Sequence, residues 1–118
     1  MINKTVAIFG VFDGIGGLDR GREAAEISAK SVCNELQQLT SNSSRGEVIL
    51  SLSNGFNIAQ RMLLDLQQKE NIDTGSTGTY GFIRQENGKF FLELGHVGDS
   101  RAYLFREGNL FTLTQDHN

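Results

Sequence analysis

Proline is absent from the 118 residues and cysteine occurs once. The lone Cys33 cannot close an internal disulfide, and His96 and His117 are too few and too far apart in sequence to complete a Cys/His zinc site with it. Its place beside an apolar helical stripe makes it a packing residue. Strongly basic segments are missing as well. Eleven Lys and Arg stand against fourteen Asp and Glu, a formal charge of −3, which excludes a nucleic-acid-binding patch. No apolar run is long enough to cross a bilayer and no signal-peptide opening occurs, so a soluble, cytoplasmic chain without membrane partners is expected. The glycosylation patterns Asn3-Lys4-Thr5 and Asn42-Ser43-Ser44 are empty in that setting.

What is present is the composition of one small globular domain over residues 1–118, 38% hydrophobic and 21% charged. Fourteen glycines mark where the backbone does something special. The segment Thr5 to Phe12 is β-rich and continuously apolar, which predicts a strand covered on both faces. After Asp13-Gly14-Ile15-Gly16-Gly17, the residues Ala25, Ala29, Val32, Leu36 and Leu39 share one face of a helix from about Leu18 to Leu39. Ser44 and Glu47 fit a capping box, and Ile49, Leu52, Phe56, Ala59, Leu63 and Leu66 predict a second helix ending near Gln68. Beyond Asn71 the period falls to two. Strands are expected at Gly78–Arg84, Lys89–Val97, Arg101–Arg106 and Leu110–Leu113, turning at Asn87-Gly88 and Glu107-Gly108-Asn109, with the last three in an antiparallel meander. A strand, two helices and a run of strands make an α+β fold.

Two glycine-flanked aspartates are the candidate site. Asp13 ends a strand before a helix, where glycines let a carbonyl approach an ion, and Mg²⁺ or Mn²⁺ takes that mixture of carboxylate, carbonyl and water. The alternative is a turn in which the Asp13 side chain bonds nearby amides. Asp99 repeats the pattern in Gly95-His96-Val97-Gly98-Asp99-Ser100-Arg101, where the alternatives are amide capping by Asp99 and local pairing by Arg101. His96 reads as a hydrogen-bonded sheet residue. Neither the dinucleotide fingerprint nor the P-loop is matched, since Asp19 stands at the third glycine position and no Gly-Lys-Ser/Thr follows. Thr74 to Thr79 lacks the lysine or helix of an anion cradle and reads as the start of a strand. Asp116-His117 is a candidate metal or acid–base pair with no following chain to fix its geometry.

Taken together, VFDGIGG with GREAAEIS, then GSTGT, then GHVGDSRAYLFREGNLFTLTQDHN, resemble the metal-dependent serine/threonine protein phosphatases of the PP2C or PPM family, most closely its bacterial members. The resemblance implies an α-β-β-α sandwich, here incomplete, of antiparallel sheets and helix pairs. It also implies hydrolysis of phosphoserine or phosphothreonine in phosphoprotein substrates through a metal-bridged water. By that resemblance Asp13 and the Gly14 carbonyl are ligands of a Mn²⁺ or Mg²⁺ pair, and Asp99 is the ligand of a third, weaker metal. Ile15 stands where other members have a histidine assigned as general acid. The family's arginine and Asn-Glu-Asp segment before the DG strand have no counterpart in the twelve residues preceding Asp13, none of which is Arg, Asp or Glu. Its two later aspartates have none after His117. Weak metal binding and weak or no activity are therefore expected of this chain, with a non-catalytic binding or self-assembly module, associating through exposed sheet edges, as the alternative.

Overall fold

The computed structural model describes residues 7–16 and 18–117. Thr5, Val6, the Asn3-Lys4-Thr5 tripeptide and Gly17 lie outside them. The element order is β1 (Ala7–Val11), α1 (Gly21–Leu36), α2 (Arg45–Glu70), β2 (Gly78–Glu86), β3 (Lys89–Val97), β4 (Tyr103–Arg106) and β5 (Asn109–Thr112). An antiparallel sheet in the order β1-β2-β3 carries the two helices on one face, and β4-β5 forms a separate two-stranded hairpin. These are the mixed helix and antiparallel-sheet layers expected.

The second helix starts where its capping box predicts. Ser44 Oγ accepts the Glu47 N–H while the Glu47 carboxylate accepts the Ser44 N–H, both at 3.1 Å. It ends on Asn71 in the left-handed conformation (φ 53°), which asparagine tolerates. The first helix is shorter than its stripe suggests, because residues 18–20 form a turn tied to Asp73 by the Asp19 N–H at 2.8 Å. Its buried face is Ala24, Ser28, Ser31, Val32 and Leu36, rotated from the predicted one, while Leu39 is buried in the following turn. The second stripe is rotated likewise, with Val48 buried and Ile49 exposed. Ser28 and Ser31 enter that face because each hydroxyl donates to the carbonyl four residues back, so a polar residue is buried without an orphaned group. The helices cross closely at Gly55, where a Cβ would stand 3.2 Å from Val32 Cα.

Cross-strand register places Ile8, Gly10, Tyr80, Phe82, Arg84, Phe91 and Glu93 on the helix-covered face. Tyr80 sits at its centre between the Phe12 and Phe56 rings, and its hydroxyl donates to the Leu52 carbonyl at 2.6 Å. Burial pushes its phenol pKa well above the usual value. Tyr80→Phe is expected to cost about 1 kcal/mol, the net worth of one buried hydrogen bond, read as a lower urea midpoint at unchanged slope. The partly buried Arg84–Glu93 pair (3.0 Å) closes the sheet's far end, with the Arg84 guanidinium 4.5 Å over the Phe91 ring.

Two expectations fail in one region. The strand β1 is not covered on both faces: Phe9 and Val11 are 48% and 63% exposed, because the helices meet only the opposite face. The meander is broken, since among the described residues β3 pairs with β2 and β4 with β5 alone. Gly98, at φ +98°, ends β3 in a conformation few L-residues adopt and turns the chain off its edge. Both tight turns are as expected, Asn87-Gly88 and Glu107-Gly108 each having two successive positive φ values.

Candidate functional site

Beyond β1 the chain keeps pairing with the segment before β2. Thr77 N–H donates to the Asp13 carbonyl at 2.9 Å and Ile15 N–H to the Gly75 carbonyl at 3.0 Å, with Gly14 opposite Ser76 as an antiparallel bridge. Those flanking bonds turn Gly14's own peptide groups away from Ser76. Thr77 Oγ1 also accepts the Asp13 N–H at 3.2 Å, so one residue holds both backbone polar groups of Asp13. Gly14 is pressed against the start of α1, where a Cβ would lie 2.0 Å from the Gly21 carbonyl oxygen. Ile15 lies over Gly75, where a Cβ would meet its Cδ1 at 2.9 Å.

Asp99 arrives from the other side, on the turn after β3. A Cβ on Gly98 would meet Thr77 Cγ2 at 2.7 Å, so this turn lies directly against the segment that holds Asp13. The Thr77 and Ser100 hydroxyls are 2.7 Å apart, and Thr79 Oγ1 donates to the Ser100 carbonyl. The predicted residues Asp13, Gly14 and Asp99 thus line one open cleft of about 760 Å³, with Ser76, Thr77 and His117 among its other walls. Among the described residues, no donor is hydrogen-bonded to either carboxylate. Nor does Arg101 pair with Asp99. It forms a two-point ion pair with Asp116 at 2.9 and 2.7 Å.

The donors match a hard cation in kind: two carboxylates with no hydrogen-bond donor among the described residues and a backbone carbonyl, all oxygen. In number they fall short, since among the described residues no three of His, Cys, Asp and Glu are grouped to hold an ion. They fit part of a Mg²⁺ or Mn²⁺ shell and leave the rest to water.

Three features escape the sequence pattern. Thr77 is more than the start of a strand, because it links Asp13 to Ser100. His96 is the sheet residue expected, opposite Thr79 on β2, but its ring is not hydrogen-bonded as a sheet histidine's would be: its Nδ1 is buried without a partner among the described residues, and the ring stacks on His117 at 4.5 Å between centroids. The two histidines are therefore neighbours in space, yet their near-parallel rings, 17° apart, do not converge on one ion. Asp116-His117, read as lacking anything to fix it, is fixed from the side, Asp116 by Arg101 and His117 by Gly98. The Arg101 guanidinium holds the Asp116 carboxyl below its usual range, so the pair is charged at neutral pH. The signal available in sequence was Arg101 itself, a cation with no acidic neighbour but Asp99.

Compared with known proteins, residues 2–118 match the family model described as Protein phosphatase 2C. A protein kinase and PP2C-like domain-containing protein of Oryza sativa subsp. japonica is 34% identical over 97% of this chain and 17% of its own length. A Stage II Sporulation E family protein from Thermanaerovibrio acidaminovorans superposes with a TM-score of 0.71 at 31% identity, over 96% of this chain and 50% of that one. The catalytic domain of the serine/threonine protein phosphatase PstP, whose crystal structure is of a complex with two manganese ions, superposes with a TM-score of 0.64 at 24% identity, a likeness of fold, over 98% and 50%. The chain spans about half of each solved chain and about a sixth of the rice relative.

Proposed function

Because the chain belongs to the protein phosphatase 2C family, we propose that it forms the central part of a metal-dependent phosphatase domain acting on phosphoserine and phosphothreonine in cytoplasmic phosphoproteins. The observation that carries the reading is the convergence of Asp13, Gly14 and Asp99, from two distant segments, on one cleft. In it the Asp13 carboxylate and the Gly14 carbonyl would hold the Mn²⁺ or Mg²⁺ pair and the Asp99 carboxylate a third, weaker ion. A divalent cation there supplies positive charge beside the phosphoryl oxygens and makes water a better nucleophile at neutral pH. The chain's own work is positioning. Thr77 fixes the Asp13 backbone and, through Ser100, the turn that carries Asp99, so the two carboxylates are presented together.

So small a donor set supports weak binding and weak or no turnover. Titration of the 118-residue chain with Mn²⁺ by calorimetry is expected to give a weak affinity that falls about tenfold in Asp13→Ala, the usual scale for losing one charged ligand contact. An affinity unchanged by Asp13→Ala refutes the site. Brisk manganese-dependent hydrolysis of p-nitrophenyl phosphate, lost in Asp13→Ala, refutes the weak-activity part.

A second reading is favoured by a different observation. The sheet face opposite the helices leaves Phe9, Val11, Phe90 and Leu92 exposed, which suits a module that associates with a second copy of itself.

A further inference from the structure

The Gly98-Asp99 turn is held on two sides, and only one of them belongs to the segment that also holds Asp13. On that side Thr77 and Thr79 reach Ser100. On the other, the residues after β5 run back alongside the turn. Leu113 N–H donates to the Ala102 carbonyl at 2.9 Å and Ala102 N–H to Thr114 Oγ1 at 3.2 Å. Arg101 then takes the Asp116 carboxylate at two points. At the end His117 engages both polar groups of the Gly98 residue: its N–H donates to the Gly98 carbonyl at 3.0 Å and its Nδ1 accepts the Gly98 N–H at 3.3 Å. For Nδ1 to accept, the ring proton resides on Nε2, and stacking on His96 sets the ring plane.

We propose that Asp116-His117 is a clamp that positions the Gly98-Asp99 turn, and with it the Asp99 carboxylate, in the cleft. A positive φ at Gly98 leaves the turn little intrinsic preference for this shape, so the contacts around it decide where Asp99 points. His117 has the geometry of a positioning residue: its backbone and ring grip the residue next to Asp99. Arg101 and Asp116 anchor the gripping segment. The consequence for cation binding rests on the reading of Asp99 given above, while the clamp does not.

The test uses the 118-residue chain and two readouts. Amide exchange of Gly98, measured against Phe82 in the same sample, is expected to rise about tenfold in His117→Ala, as for one lost hydrogen bond, and to stay near wild type in His117→Asn, whose Oδ1 stands where Nδ1 stood. Asp116→Asn, which keeps the shape and loses the charge, is expected to raise it as well. Mn²⁺ affinity is expected to fall in His117→Ala and return in His117→Asn. Gly98 protection unchanged in both His117→Ala and Asp116→Asn overturns the clamp. Faster Gly98 exchange with undiminished Mn²⁺ affinity overturns its positioning role. A wild-type chain that binds no Mn²⁺, or binds it equally well as Asp99→Ala, refutes the functional reading alone, and the exchange rates still decide the clamp.

Discussion

Gly14→Ala is expected to destabilise the chain by about 3 kcal/mol, the upper end of overpacking costs, whereas Gly16→Ala, two residues on, changes stability by less than about 0.5 kcal/mol. The contrast follows from what each new methyl group meets. At Gly14 it would lie 2.0 Å from the Gly21 carbonyl oxygen and 2.3 Å from the carbonyl carbon, while at Gly16 nothing stands within 4 Å. The Gly21 atoms are backbone, at the first turn of α1, so no side chain can rotate away. Either α1 lifts from the sheet or the Asp13-Gly14 turn leaves its bridge to Ser76. In both cases the Thr77 bonds that fix Asp13 are strained, so Mn²⁺ affinity is expected to fall with stability. Urea unfolding of the two variants side by side checks the claim, and equal midpoints for Gly14→Ala and wild type would sink it.

The same neighbourhood explains how much was legible in the sequence. Local signals carried their elements: the Ser44/Glu47 box started α2, Asn87-Gly88 turned the hairpin, and alternation gave β3 its bounds at Lys89 and Val97. The two aspartates stand out in sequence because glycine next to a carboxylate at a strand end is a local pattern too, and the family resemblance points to the same residues. Legibility failed where partners are distant. An apolar run such as β1 reads as covered on both faces, since sequence reports what a face would bury and not whether anything covers it. The grip of His117 on Gly98 depends on the chain turning off the β3 edge at Gly98 and returning after β5. No spacing of residues encodes that return, and the expected meander pointed away from it.

The bare face of the sheet leads to the second large effect: the chain is expected to self-associate through it, and Val11→Lys with Phe90→Lys to raise the dissociation constant at least about a hundredfold, or about 2.7 kcal/mol. A sealed protein of 13.0 kDa exposes roughly 6,300 Å² by the usual size scaling. This chain exposes 7922 Å². Part of the exposed apolar surface lies on the sheet face opposite the helices, as register shows. Phe9 is opposite Gly81 and reaches across it, a Cβ there standing 2.7 Å from Phe9 Cζ and 3.0 Å from Leu92 Cδ1, so Phe9 and Leu92 form a continuous apolar ridge over the glycine. Val11 and Phe90 flank it at 63% and 71% exposure, with so little packed on them that lysine there leaves the monomer's core untouched. Two such faces stack as sheets do, about 10 Å apart, without needing any charge to match. Edge pairing along β1 or β3 is the competing geometry, and it is indifferent to side chains on the face. Sedimentation equilibrium separates the cases. A wild-type dimer that becomes a monomer in the double variant places the interface on the face, a dimer that persists moves it to an edge, and a wild-type monomer at about 100 μM, where an interface of ordinary size is saturated, removes self-association altogether.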